Sequence, residues 1–281
     1  MIKVLAVFDG LRFSEATLQH SVQIAKSQPA HLVGLFLEDF TYQSFSRYKA
    51  ITRENLTTKQ IAALEKKDEA TRKASRERFE AVCKKAGIEH SIHKENDVAF
   101  PTLMQEAIYA DLVVIDANET FSLAKEKAPT EFIRDFLSGS ESPVLLVNKK
   151  YTPVTNAVML FDGEPSSVFA IKQYSYLIGA HQDLNVEVLT VKKERATAHV
   201  PDNRLMKEFM KRHFPKAVYT VVKGDYAEPK IIEHLKQLPG KPLIVLGAYR
   251  RGMVSRWFKQ SMADTLLENL SFPLFIAHNK A

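Results

Sequence analysis

Residues 3–10 read KVLAVFDG and residues 157–163 read AVMLFDG. The second stretch repeats the first: an uninterrupted apolar strand that closes on Asp9-Gly10 or on Asp162-Gly163. The echo returns late in each half. DLVVIDA (111–117) stands against PLIVLGA (242–248), and SPVLLVNK (142–149) against FPLFIAHNK (272–280). The offset is 153 residues at the Asp-Gly pair, 131 at the second pair and 130 at Pro143/Pro273. A repeat of that size is a whole α/β domain rather than a solenoid module of about 20–50 residues. The 281 residues are therefore expected to divide into two domains, 1–150 and 151–281.

Strands and helices alternate between the echoes. VLAVF (4–8) precedes a helix over 14–26, with Ala16, Val22, Ile24 and Ala25 on its apolar face and Ser14 placed to cap it. HLVGLFLE (31–38) is a second strand, and residues 39–54 form an aromatic-bearing loop suited to a flap or a partner surface. Residues 55–86 lack internal Pro and Gly, which predicts one long helix stopped by Gly87 and anchored by Ile61, Leu64, Phe79 and Val82. Its middle is nearly all polar, so part of it is expected to project into solvent. Residues 88–97 read as a third strand, Pro101 opens a helix, and the apolar run 111–117 reads as a strand covered on both faces. An amphipathic helix over 130–140 presents Phe132, Ile133, Phe136 and Leu137, and Pro143 starts the last strand.

After a linker at 151–156 the plan repeats. Strands are expected at 157–161, 184–191, 217–223, 242–248 and 273–278, and helices at 166–179, 203–213, 228–238 and 256–269. This alternation implies, in each domain, a mostly parallel five-stranded sheet with helices on both faces, a Rossmann-like α/β fold. Ligands of such sheets bind beyond the carboxyl ends of the strands, where Asp9, Asp162 and the loops after 117 and 248 fall.

Composition narrows the function classes. No apolar run approaches the roughly 20 residues that span a bilayer. The start of the chain lacks a basic region with a small-residue cleavage site, so no signal peptide is expected. One cysteine, Cys83, excludes an internal disulfide and suits a reducing cytoplasm. The net charge of +6 reads either as affinity for phosphates or nucleotides or as a basic solvated surface, the lysines being spread along the chain. No aromatic-rich RNA-binding strand, Cys/His finger or Arg-rich tract is present, so no nucleic-acid partner is expected. GxxxxGK[ST], GxSxG and HExxH are absent. His90 and His93 would face opposite sides of a strand, which favours surface positions over a metal site. Cys83, beside Val82, reads as a packed thiol, with a redox nucleophile as the alternative.

The stretch from Gly247 to Met262, GAYRRGMVSRWFKQSM, resembles the phosphate-binding loop of the universal stress protein family, whose nucleotide-binding members use G-x2-G-x9-G-(S/T). The strand-Asp-Gly-helix at the start of each half and the Ser-Pro-Val-Leu-Leu-Val type of strand at its end are similar to the same family. The resemblance covers the whole chain as two tandem domains of the HUP-type Rossmann-like class. It implies a cytoplasmic stress-response role, and an internal pseudo-dimer in which strands 143–148 and 273–278 pair, with further dimerisation open. Carried over, it implies that Asp162 holds the ribose side of ATP or AMP (with Mg), that Val191 contacts adenine, and that Gly247, Arg250, Gly252 and Ser261 form the loop. The first-half counterparts are Asp9, Leu37 and Asp116.

The loop departs from that pattern. Arg250 and Gln260 stand at two glycine positions, where they fill the space phosphate needs; alternatively Arg250, Arg251, Arg256 and Lys259 bind phosphate by charge. In the first half Asp116 replaces the first glycine, and a carboxylate there repels phosphate. Asp9 and Asp116 are then turn and cap residues of an inactive domain, or they line a pocket selecting a cation or a neutral ligand. Three readings follow: a stress-response regulatory protein with a nucleotide site in the second half only, an interaction scaffold that works through residues 39–86, and, least supported, a nucleotide hydrolase or nucleotidyl transferase.

Overall fold

The structure, a computed structural model, describes residues 1–38, 43–95, 97–178, 184–247 and 262–277. The first half runs β1 (Ile2–Phe8), α1 (Glu15–Ser27), β2 (Ala30–Leu37), α2 (Arg47–Thr52), α3 (Thr58–Ala86), β3 (His90–Glu95), α4 (Ala99–Ile108), β4 (Leu112–Asp116), α5 (Glu131–Gly139) and β5 (Val144–Val147). The second runs β6 (Asn156–Leu160), α6 (Pro165–Leu177), β7 (Asn185–Lys192), α7 (Asn203–His213), β8 (Val218–Lys223), α8 (Ala227–Gln237), β9 (Leu243–Leu246), α9 (Met262–Asn269) and β10 (Leu274–Ile276).

These strands form one sheet in the order β3-β2-β1-β4-β5-β10-β9-β6-β7-β8. Neighbours are parallel everywhere except at the centre, where β5 and β10 run antiparallel. There Leu146 pairs with Leu274, Leu145 with Phe275 and Val144 with Ile276. At the 130-residue offset Leu145 and Phe275 are equivalent positions, so the pseudo-twofold axis passes through this pair. Each apolar edge covers the other and leaves no backbone row open for foreign strands. The internal pseudo-dimer expected from the resemblance is thus the observed architecture.

Two core layers enclose the sheet, and each runs unbroken through both halves. One contains residues of α1, α3, α6 and α7, the other residues of α4, α5, α8 and α9. The apolar strands are buried on both faces, as parallel strands between helical layers must be. Local signals set the helix limits. Ser14 Oγ accepts the Thr17 N–H at 3.2 Å to start α1. Thr57 and Gln60 form a reciprocal capping box at α3, and Gly87 closes it with φ +67°, a conformation that favours glycine.

Three expectations need correction, and a fourth, for α3, needs refinement. The loop 39–54 contains a helix, α2, begun by Ser46 accepting the Lys49 N–H; residues 39–42 lie outside the described residues. Helix α4 begins at Ala99, two residues before Pro101, because a proline within the first turn removes an N–H that has no helical partner. Pro143 and Pro273 stand just before their strands, where their carbonyls accept the Val113 and Ile244 N–H groups at 3.0 Å each. The polar middle of α3 exposes Lys66, Lys67, Glu69 and Lys73, as part of it was expected to, but its other side is docked: Asp68 and Ser75 are buried on the same stripe as Phe79 and Cys83. A stripe judged by apolar residues alone misses this, because Asp68 is held by Ser44 and Ser75 by the Gly10 carbonyl.

Candidate functional site

Because β1 lies between β2 and β4, and β6 between β7 and β9, the topology brings each set of candidate residues to one sheet edge. Asp9, Leu37 and Asp116 converge at the carboxyl ends of the first set, and Asp162, Val191 and Gly247 at those of the second. Arg250, Gly252 and Ser261 lie outside the described residues, as do Arg251, Arg256, Lys259 and Gln260.

The first-half edge is filled with carboxylates. Asp9 Oδ1 accepts the Leu11 N–H at 2.8 Å, and its Oδ2 accepts from Arg12 Nε at 2.9 Å. Arg12 reaches on to Thr120 Oγ1 at 3.0 Å and lies 4.0 Å from Glu119 Oε2. Asp116 accepts the Asn118 N–H and side-chain amide through Oδ1 (2.9 and 2.8 Å) and Ser14 Oγ through Oδ2 (3.1 Å). Asp9, Asp116 and Glu119 are all buried. Burial, then the Asp9 and Asp116 charges, push the Glu119 carboxyl well above the usual carboxylate range, against the pull of Arg12 and Lys149. Sequence reading assigned no role to Glu119 or Arg12. The signal was there, since each stands three residues after an aspartate that ends a strand.

Helix α3 lies across the same edge. Ser75 Oγ donates to the Gly10 carbonyl at 2.7 Å, and a Cβ on Gly10 would sit 3.1 Å from Arg72 Cγ. Arg76 pairs with buried Glu38 at the end of β2, which also meets Lys94 at 3.3 Å, and Arg78 pairs with Glu15 at 2.8 Å. Phe79 packs so closely on Gly34 that a Cβ there would lie 2.8 Å from its ring. The side-chain bonds of the first-half edge are thus taken up within the protein.

The second-half edge is built differently. Asp162 Oδ1 accepts the Glu164 N–H at 3.0 Å and forms the turn into α6, while Gly163 adopts φ +88° against Pro201. Thr190 Oγ1 donates to the Phe161 carbonyl at 2.6 Å and fixes β6 to β7 beside buried Val191. Gly247 lies against the first turn of α6, where a Cβ would fall 2.5 Å from the Ser166 carbonyl oxygen. Helix–strand packing alone therefore demands glycine at 247. Asp116 is tolerated at the equivalent first-half position because α1 starts at Glu15, five residues past Gly10, whereas α6 starts at Pro165, two past Gly163.

The remaining sequence candidates have separate environments. His90 Nδ1 lies 2.8 Å from the Ile88 carbonyl and His93 Nδ1 lies 2.9 Å from Glu106 Oε1. Cys83 is fully buried, and burial raises its thiol to about 11. Among the described residues no group of three or more His, Cys, Asp or Glu is placed to hold a metal ion. No described helix is long and apolar enough to cross a membrane.

No family model matches the chain, and no curated protein matches it. Solved structures do. A universal stress protein from Archaeoglobus fulgidus DSM 4304 aligns over 99% of this chain and 98% of its own, at 15% identity and a TM-score of 0.67. A functionally unknown protein from Pseudomonas aeruginosa PAO1 aligns over 99% of this chain and 92% of its own, at 15% identity and a TM-score of 0.56. At such identity the likeness is one of fold. The chain has the tandem α/β fold of a universal stress protein, as its sequence motifs indicate.

Proposed function

We propose that the chain is a non-catalytic, stress-response binding protein with one adenine-nucleotide site, at the carboxyl edge of β6, β7 and β9. The division of labour follows the halves 1–150 and 151–281. The observation that carries this reading is the contrast between the two edges. In the first, Asp9, Arg12, Asp116 and Glu119 crowd the strand ends with side chains engaged within the protein, and α3 lies across the same edge at Gly10. In the second, Asp162 and Val191 flank a strand end with glycine at 247. Asp162 would hold the ribose, Val191 would contact adenine, and the segment with Arg250, Gly252 and Ser261 would meet the phosphates. Since Gly247 has a packing reason of its own, substitution there is a poor test. Asp162→Ala is better.

The test is calorimetric titration of the full chain with ATP and magnesium, beside Asp162→Ala and Asp9→Ala. Saturable binding lost in Asp162→Ala and kept in Asp9→Ala supports the reading. No heat and no thermal shift at millimolar ATP sinks it. The scaffold reading draws on a different observation: Tyr48 and Ile51 of α2 are 73% and 52% exposed, an apolar pair pointing out of the 39–86 region. Failure of the titration would turn attention to that surface.

A further inference from the structure

A cavity of about 430 Å³ lies at the seam between the halves, remote from both carboxyl edges. Its walls come from α1 (His20, Gln23, Ile24), Leu145 of β5, the linker (Tyr151, Pro153, Val154), Ile178 just after α6, Leu184 just before β7 and Leu243 of β9. The pseudo-symmetry is broken beside it. On the second-half side the Tyr174 ring packs on Phe275 with centroids 5.4 Å apart. The equivalent first-half positions hold Ser21 and Leu145, which carry less volume, and Leu145 forms part of the wall.

The lining has a definite chemistry. Among the described residues it carries no Asp, Glu, Lys or Arg, and its described wall is mostly apolar. Its most enclosed polar group is His20, which is only 7% exposed. The ring meets Tyr151 edge-on at 4.8 Å. A hydroxyl or amide bound in the cavity would give it a hydrogen-bond partner. Burial lowers the imidazole to about 4, so the ring is neutral under physiological conditions and offers one donor and one acceptor. Burial also raises the Tyr151 phenol, which stays protonated.

We propose that the seam cavity is a ligand site for an uncharged small molecule with an apolar, ring-sized body and one hydroxyl or amide group, which hydrogen-bonds to His20. The volume falls within the range of about 300–1,000 Å³ usual for small-molecule pockets, which favour the junctions between domains. This site shares no residue with the proposed nucleotide edge, and neither proposal depends on the other.

The experiment uses the full chain and two fluorescent probes, 1-naphthol and naphthalene, which differ by one hydroxyl. Saturable one-to-one binding is expected, with 1-naphthol about threefold to tenfold tighter, the usual net worth of one hydrogen bond. The ratio should collapse to about one in His20→Leu, both probes should be lost in Val154→Trp, which fills the cavity from the linker side, and ATP should displace neither. Should Val154→Trp fold poorly, the ring resonances of His20 in the unaltered chain provide the check, and they should move on addition of 1-naphthol. Absence of saturable 1-naphthol binding, binding that persists in Val154→Trp, unmoved His20 resonances, or a ratio unchanged in His20→Leu would each overturn the proposal.

Discussion

Arg134 of α5 and Asp264 of α9 occupy equivalent positions at the 130-residue offset, and their side chains meet across the seam, Nε to Oδ2 at 3.8 Å. Arg134 also lies 3.9 Å from Glu268. In a symmetric dimer, equivalent positions carry the same residue and could not form this pair. A double-mutant cycle with Arg134→Ala and Asp264→Ala should give a coupling of about 0.5–1 kcal/mol, modest because Arg134 is half-exposed. Urea unfolding measures it, and it should shrink in 1 M salt. A coupling of zero would mean the contact contributes nothing to joining the halves.

The carboxylate cluster predicts a pH dependence of definite sign. The folded state holds the Glu119 proton more tightly than the unfolded chain does, chiefly through burial. The folded state then binds more protons, so stability at this site is full below the ordinary glutamate range and falls as pH rises through the raised folded value. Glu119→Gln removes the titration. Its stability relative to the parent should therefore grow as pH is raised from 4.5 toward neutrality, as read by denaturant midpoints at several pH values. A difference independent of pH would contradict the assignment.

His20 acts in the opposite direction. Its folded value is lowered from 6.5 to about 4, so its contribution is present above pH 6.5 and is lost as the pH falls toward 4. The loss amounts to about 3 kcal/mol at the acid end, at about 1.4 kcal/mol for each tenfold change in proton affinity. His20→Leu should flatten that limb of the stability curve, and histidine resonances followed against pH should show one ring that titrates near 4.

Gly247→Ala tests the close approach of β9 to α6. The added methyl would sit 2.5 Å from the Ser166 oxygen, a backbone atom that cannot swing aside. A loss of about 1–3 kcal/mol is expected, whether or not any nucleotide is present. Gly34→Ala should be comparably costly, since Phe79 would have to leave its place under α3. If Gly247→Ala is neutral in unfolding but abolishes nucleotide binding, the glycine serves the ligand rather than the packing.

Cys83 gives a direct probe of α3. With no exposed surface and a thiol raised to about 11, it should resist a disulfide reagent in the native state. The labelling rate should rise with urea in step with opening of α3. Rapid native labelling would show that α3 detaches readily.

The central strands β1, β4, β5, β6, β9 and β10 were legible in the sequence because each is a short apolar run, all but β4 beside Asp-Gly, Gly or Pro, the pattern of a strand covered on both faces. The repeat made the two-part architecture legible as well, while the pairing of β5 with β10 came from the family resemblance. The docking of α3 was hidden because it rests on Asp68 and Ser75 as much as on Phe79, and polar residues at helical spacing look like a solvated face. At the first-half edge, Asp9 and Asp116 could be placed from strand ends alone. Their partners Arg12 and Ser14 needed the turn geometry. The seam cavity left no linear trace, since residues 20, 145, 151 and 243 become neighbours only when the sheet closes at its centre.

The Leu145–Phe275 pairing at the axis has a consequence for stoichiometry. Two identical subunits would repeat every choice at their axis, so a pocket on one side would recur on the other, and two ligands would bind with whatever cooperativity linked them. A fused chain sets Leu145 and Phe275 independently, fills one side with Tyr174 and leaves the other open. Occupancy of the seam should then follow a single-site isotherm with a Hill coefficient of about one at every protein concentration.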